Sequence, residues 1–413
     1  MTNFFQLFLL LSLSTVSLFG QNPSVEVPDL SDDRVLALPV EGPLSGTALD
    51  KLDQAVAEKR FVSIGEFTHG SREVFLLRNR LIEYLHEQHG FDVILFEAGI
   101  GELIVLNEEK HNLTDRQLTG GFFGPWRTEE FRDLMRYVRE NEIEIAGFDV
   151  QRTARSFDPL LRELFISADL DTTTISLLEP RFGRMRRDLP SRKVPFSDFL
   201  DAAVQELILQ YEQAHQSLLH AKSTYPVRQI MMALKTIENR IAYLRYMIRF
   251  KQGQDWNQRW ADRDSLMASN VEWLTENIYR NRKIIIVGHN FHLARHNSNE
   301  AVMGAFLEKV YPGEIYIIGT FAGGGTYVDN YGREVEMAEP AEDTLDLKHI
   351  IRSLQGEINF IELGSGSSES EHWSRQAITV KDTFIDLYGS EELQLAKGFD
   401  AVLLISESSI PIK

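Results

Sequence analysis

The sequence predicts an α/β fold, with a mostly parallel central sheet, flanking helices and a helical insertion that acts as a cap. Three observations predict it. Between Phe61 and Phe148, short β-branched and aromatic runs alternate with stretches whose apolar residues recur at helical spacing. Strand-like runs return from Lys283 onward, and the intervening residues 156–282 are long helical stretches with few strand signals.

Taken in order, Met1 to Gly20 carries no charged side chain and contains LFLLLSLSTVSLF. That run is too short to span a bilayer but suits the apolar region of a signal peptide, so the mature protein is expected in the periplasm or secreted. Residues 21–46, with Pro23, Pro28, Pro39 and Pro43, read as an extended lead-in, and a helix follows around Thr47 to Lys59.

Phe61 to Ile64 is short enough for a buried strand; Val74, Leu77, Leu81 and Leu85 then keep helical spacing until Gly90, and Phe91 to Phe96 is a second strand. This is a βαβ unit, whose right-handed crossover leaves both strands parallel with their carboxyl ends on one edge. A loop at Thr119 to Pro125 precedes a helix capped by Thr128, and Ile143 to Phe148 is a third strand ended by Asp149. Helical stretches occupy 197–221, 227–251 and 258–280; strands resume at Lys283 to Val287, Glu314 to Gly319, Ile358 to Leu363 and Ala401 to Ile405. The α/β catalytic domain is thus expected to be discontinuous, from 47–155 and 283–413.

With 61 acidic against 43 basic residues, the net charge of -18 excludes nucleic acid and anionic membrane surfaces as expected partners. The absence of cysteine excludes disulfides, thiolate metal sites and a cysteine nucleophile. No G-x-S-x-G elbow, Walker loop or dinucleotide glycine fingerprint occurs, so no nucleotide cofactor is expected.

Four strands end in polar groups: Glu66 with His69, then Glu97, Asp149, and His289 with His292. Open parallel sheets bind ligands at that edge, and ionisable groups there cost stability unless paired or functional. Histidine suits general acid or base work, and Glu66 is placed to hold the His69 ring in one tautomer. His289 and His292 are read as donors to a developing oxyanion, with the alternative that one of them only caps a helix. Arg263, on a helix with Leu266, Ser269, Asn270 and Trp273, is either a solvated charge or a clamp on an anionic intermediate.

These residues lie in segments that together resemble the erythromycin esterase family, including its succinoglycan-biosynthesis-like members: GEFTHGSRE at 65–73, FEA at 96–98, PWRTEEF at 125–131, GFDVQ at 147–151, RDSLMASNVEWL at 263–274 and GHNFHLA at 288–294. The resemblance implies an α/β fold with a helical insertion, and hydrolysis of a macrolide lactone or another ester by water activated on His69. It places Glu66, Arg78, Arg263, His289 and His292 in the active-site cleft. Phe67 and Phe291 stand where other members more often carry small residues, a departure that bears on the pocket's size and leaves open whether the substrate is a macrolide. With Arg78, Glu97, Asp149 and Trp126 they form the expected substrate-contacting set. The expected partner is a small-molecule ester or lactone, and no metal is expected. Two other readings stay open: a metal-dependent hydrolase or peptidase using Glu66, Glu97, His289 and His292, and a non-catalytic protein that binds haem or a metabolite in the crevice.

Overall fold

A computed structural model describes residues 35–39, 42, 44, 47–340, 345–363, 373–381 and 390–413. The expected export signal at 1–20 and the GSGSSES stretch at 364–370 lie outside the described residues.

Eight strands form one sheet: β1 Val35–Leu38, β2 Phe61–Glu66, β3 Val93–Gly99, β4 Glu144–Asp149, β5 Ile284–His289, β6 Ile315–Ala322, β7 Ile358–Glu362 and β8 Ala401–Ile405. Their spatial order is β1-β7-β8-β6-β2-β5-β3-β4. From β8 across to β4 every pairing is parallel; β7 runs antiparallel to both its neighbours. β1 comes from the stretch read as lead-in, and pairing with β7 gives its backbone the partners that an isolated extended segment lacks. Two short antiparallel pairs that sequence patterning did not separate from loop, Thr326–Val328 with Glu334–Glu336 and Ile378–Lys381 with Ser390–Leu393, lie outside this sheet.

The central strands are buried on both faces, as their continuous apolar runs require. Alternation still sorts their side chains. Val62, Ile64, Ile94, Phe96, Ile285 and Val287 pack on one side with Leu77, Leu81 and Leu134. Phe61, Val93, Leu95, Ile284 and Ile286 pack on the other with Met267, Val271 and Leu274. On the first side, the Arg72–His89 helix begins where the Ser71 hydroxyl accepts the Val74 N–H, and ends at Gly90 in the left-handed region (φ 68).

Five helices lie between β4 and β5: Phe157–Ser167, Ile175–Asp188, Asp198–His220, Val227–Lys251 and Trp256–Asn277. The first four share an apolar cluster that includes Phe157, Leu161, Phe182, Tyr211 and Leu244. The fifth, Trp256–Asn277, instead lays Met267, Ala268, Val271 and Leu274 against the sheet. Its Asn270 donates to the carbonyl of Phe148 at 2.9 Å, which fixes the helix against the end of β4. A buried ion-pair group ties the other helices down: Arg240 reaches Glu102 at 2.7 Å and Glu179 at 3.1 Å, and Tyr211 donates to Glu179 at 2.8 Å.

Candidate active site

The carboxyl ends of β2, β5, β3 and β4 are adjacent, and they deliver Glu66, His289, Glu97 and Asp149 to one edge; Glu66 and His289 are direct register partners. His69 stands in the loop after β2. Its Nδ1 lies 2.5 Å from Glu66 Oε1. Glu66 also accepts from Arg78 Nη1 at 2.9 Å and from Trp126 Nε1 at 3.1 Å. An ionised carboxylate only accepts, so His69 carries its proton on Nδ1 and Nε2 is the basic nitrogen.

This dyad is embedded in aromatic packing. Phe123 approaches the His69 ring edge-on with centroids 4.6 Å apart, and Trp126 is packed by Phe96, Phe122 and Phe131. Arg78 sits over Phe75 and Trp126, at 4.7 and 4.8 Å from the ring centroids. Burial draws its guanidinium down to about 10 against the opposing pull of the Glu66 charge. The loop itself is clamped from outside. Val328 N–H donates to the Gly70 carbonyl at 2.9 Å, and a Cβ at Gly70 would stand 2.2 Å from the Val328 carbonyl oxygen, so only glycine fits there.

A second group lies alongside. Arg263 donates to Asp149 through Nε at 3.2 Å and Nη2 at 2.7 Å, to Glu97 through Nη2 at 2.9 Å, and to His292 Nε2 through Nη1 at 2.9 Å. Burial opposes the Arg263 charge, but Asp149 and Glu97 hold its guanidinium well above the ordinary range. Likewise burial would raise the Glu97 carboxyl, yet the neighbouring His292, His69 and Arg263 side chains and the His289 N–H hold it well below the ordinary carboxylate range. His292 donates from Nδ1 to Asp264, at 2.8 and 3.0 Å from its two oxygens, so its Nε2 offers a lone pair to Arg263.

The structure separates the expected residues into distinct positions. Both ring nitrogens of His289 are engaged within the protein: Nδ1 accepts the Phe291 N–H at 3.2 Å, capping the Asn290–Leu293 helix, and Nε2 donates to the Phe67 carbonyl at 2.9 Å. Burial, with His69 nearby, pulls its pKa down to about 3. Neutral and doubly bonded, His289 presents no N–H to the crevice, and it is the one of the two histidines that caps a helix. Phe67, Trp126 and Arg78, expected among the substrate contacts, are closed off from solvent. The Phe67 ring turns into the apolar core against Tyr327, because alternation after β2 points it away from the crevice. Phe291 packs against Trp260 and His292 at the crevice. Glu66, Glu97, His289 and His292 do not converge on one point, and among the described residues no three His, Asp or Glu side chains are grouped as metal ligands.

Two members of the site were missed from sequence. Asp264, fully buried, holds His292 and also accepts the Met303 N–H at 2.9 Å; its only sequence signal is its place beside Arg263. Phe123 lay in a segment read only as a loop.

A buried carboxylate–imidazole pair at the carboxyl edge of a parallel sheet, beside an arginine held by two carboxylates, is an arrangement suited to general acid–base chemistry on a ligand bound at that edge. The chain belongs to the erythromycin esterase family: the family model described as Erythromycin esterase matches residues 86–408. That span begins after His69, so the dyad is defined by its geometry. YbfO of Bacillus subtilis (strain 168) is 23% identical over 393 residues, covering 85% of this chain and 84% of its own length. Erythromycin esterase type II of Escherichia coli is 23% identical over 395 residues, covering 87% and 92%. The crystal structure of a succinoglycan biosynthesis protein superposes with a TM-score of 0.70 at 16% identity, covering 92% of this chain and 96% of that one. It shares the fold.

Proposed function

We propose that this protein hydrolyses a carboxylic ester or lactone with water activated on His69, without a covalent intermediate or a metal. The observation that carries this reading is the triple anchoring of Glu66 by His69, Arg78 and Trp126. Three donors on one buried carboxylate fix its charge and orientation, and therefore the tautomer of His69.

In this mechanism His69 Nε2 takes a proton from water as the oxygen attacks the ester carbonyl, and Glu66 stabilises the resulting imidazolium. The tetrahedral oxyanion needs a donor in place before the charge develops. Arg263 has five N–H groups, and the four bonds to Asp149, Glu97 and His292 leave one on Nη1 for that task. Collapse releases the alkoxide, which recovers the proton from His69. His289 acts as a positioning residue, fastening the end of β5 to the Phe67 carbonyl two residues before His69. No helix among the described residues is long and apolar enough to cross a membrane. An exported enzyme is the reading that residues 1–20 support, and amino-terminal sequencing of the functional protein that finds Met1 intact refutes it.

The test is a panel of esters and lactones assayed with the wild type and His69→Ala. The variant is expected to lose at least about 10²- to 10⁴-fold in rate while retaining its fold. Near-wild-type turnover by His69→Ala, an acyl-enzyme trapped on a serine, or activity lost on chelation and restored by zinc, each overturns the mechanism.

A further inference from the structure

Arg259 lies one helical turn before Arg263. Its guanidinium is 4.9 Å from each of the Phe250, Trp256 and Trp260 ring centroids. In a chain with 61 acidic residues it forms no ion pair with a carboxylate among the described residues, and the groups that act on its charge are Tyr246, Tyr243 and another cation, Arg263. Burial lowers its pKa, and only the Tyr246 and Tyr243 phenols, with no carboxylate, offset it.

A second observation points the same way. Tyr243 is 3% exposed, yet its hydroxyl makes no hydrogen bond to a described residue. Burial raises its phenol to about 12, and three of its four electrostatic neighbours are the cations Arg186, Arg259 and Arg263. Of these cations, Arg263 is already held by carboxylates, whereas Arg259 has no carboxylate partner among the described residues.

This region is continuous with the site. Trp260 packs under both Arg259 and Arg263, at 4.9 and 5.9 Å, and meets Phe291, which packs against His292. The aromatic rings hold the Arg259 fork in place by stacking and so leave its hydrogen-bonding edge for a ligand.

Resting on the esterase reading, we propose that Arg259, with the Tyr243 hydroxyl, forms a subsite for an oxyanion group carried by the substrate away from its scissile carbonyl. The substrate class is thus an anionic ester, such as the half-ester of a dicarboxylic acid. A guanidinium fork and a phenolic O–H recognise that group, while the aromatic wall takes the apolar spacer between the two ends.

The probes are the mono-4-nitrophenyl esters of glutaric, adipic and suberic acids, each compared with the same ester capped by methyl on its free carboxyl. With the wild-type chain, the free acid of matching length is expected to exceed its capped counterpart in kcat/KM by at least about tenfold, mainly through KM. Arg259→Gln should bring that ratio close to one, and Arg259→Lys should restore part of it. Because the capped ester is the internal reference, a general loss of folding does not imitate the result. Calorimetric binding of the same acids to His69→Ala, with and without Arg259→Gln, gives a readout independent of turnover. Charge-dependent binding that needs Arg259, without hydrolysis of any ester, keeps the subsite and refutes the esterase reading. Hydrolysis with an acid-to-capped ratio that Arg259→Gln leaves unchanged at every length refutes the subsite alone.

Discussion

Glu66→Gln separates what the dyad does for catalysis from what it does for stability. The side chain accepts three hydrogen bonds on two oxygens and is 1% exposed. Glutamine keeps the shape but has one acceptor and a donor pair. Arg78, whose only hydrogen-bond partner among the described residues is Glu66, will take the remaining oxygen, because an amide N–H against its Nη1–H is repulsive. The amide nitrogen then faces His69 and the Trp126 N–H, whose bond is lost, and the ring can meet it only by accepting at Nδ1. The proton moves to Nε2, the nitrogen that must accept from water. Turnover is therefore expected to fall by about 10²- to 10⁴-fold in kcat with little change in KM. The stability cost has a different source. Two other nitrogens of Arg78 are already buried without a hydrogen-bond partner, and removal of the Glu66 charge leaves the cation uncompensated. An unpaired buried charge costs about 3–5 kcal/mol, read as a lower urea midpoint. The double variant Glu66→Gln/Arg78→Met removes that charge and leaves an apolar chain against Phe75, Trp126 and Phe131, so most of the stability should return while activity does not. A single variant as stable as the wild type refutes the buried-charge argument, and a double variant that regains turnover refutes the tautomer argument.

Three further outcomes follow from the geometry. His289 titrates at about 3 in the folded chain against an ordinary 6.5, so the unfolded chain takes up a proton that the folded one refuses. Its contribution is complete above pH 6.5 and declines as the pH falls toward 3, by about 5 kcal/mol at most; His289→Asn should flatten urea midpoints across that window, and parallel wild-type and variant curves contradict this. Arg263→Lys keeps the charge between Glu97 and Asp149 but loses the planar fork, so kcat should fall about 10²- to 10³-fold, whereas a change confined to KM assigns the residue to substrate binding alone. Removal of residues 409–413 deletes the bonds from Ser409 to Glu73 and from Ile412 to Glu130, at the helix starts beside the His69 loop; hydrogen exchange of Thr68 to Ser71 should rise and kcat fall, with far-UV dichroism unchanged.

The strands of the sheet core were legible because their signals are local. Phe61 to Ile64, Lys283 to Val287 and Ala401 to Ile405 are apolar runs of strand length, and turns or polar residues mark their ends. Parallel pairing then follows from helical crossovers, so the convergence of Glu66, Glu97, Asp149 and His289 on one edge was available before any coordinate. The Glu66–His69 pair was legible for the same reason: it lies within one loop.

What sequence alone determined is therefore the sheet edge and the types of ionisable group along it. Tertiary structure decided what each group does there, because a hydrogen bond between residues 60 to 222 positions apart leaves no periodic trace. Trp126 reaches Glu66 across 60 residues, and the Phe67 carbonyl occupies His289 across 222. Asp264 behind His292, 28 residues away, and β1 beside β7 were likewise decided only by the folded chain. Residue type and spacing place a histidine at the edge; its tautomer, and with it the choice between base, cap and brace, depends on which distant donor or acceptor the folded chain sets against each nitrogen.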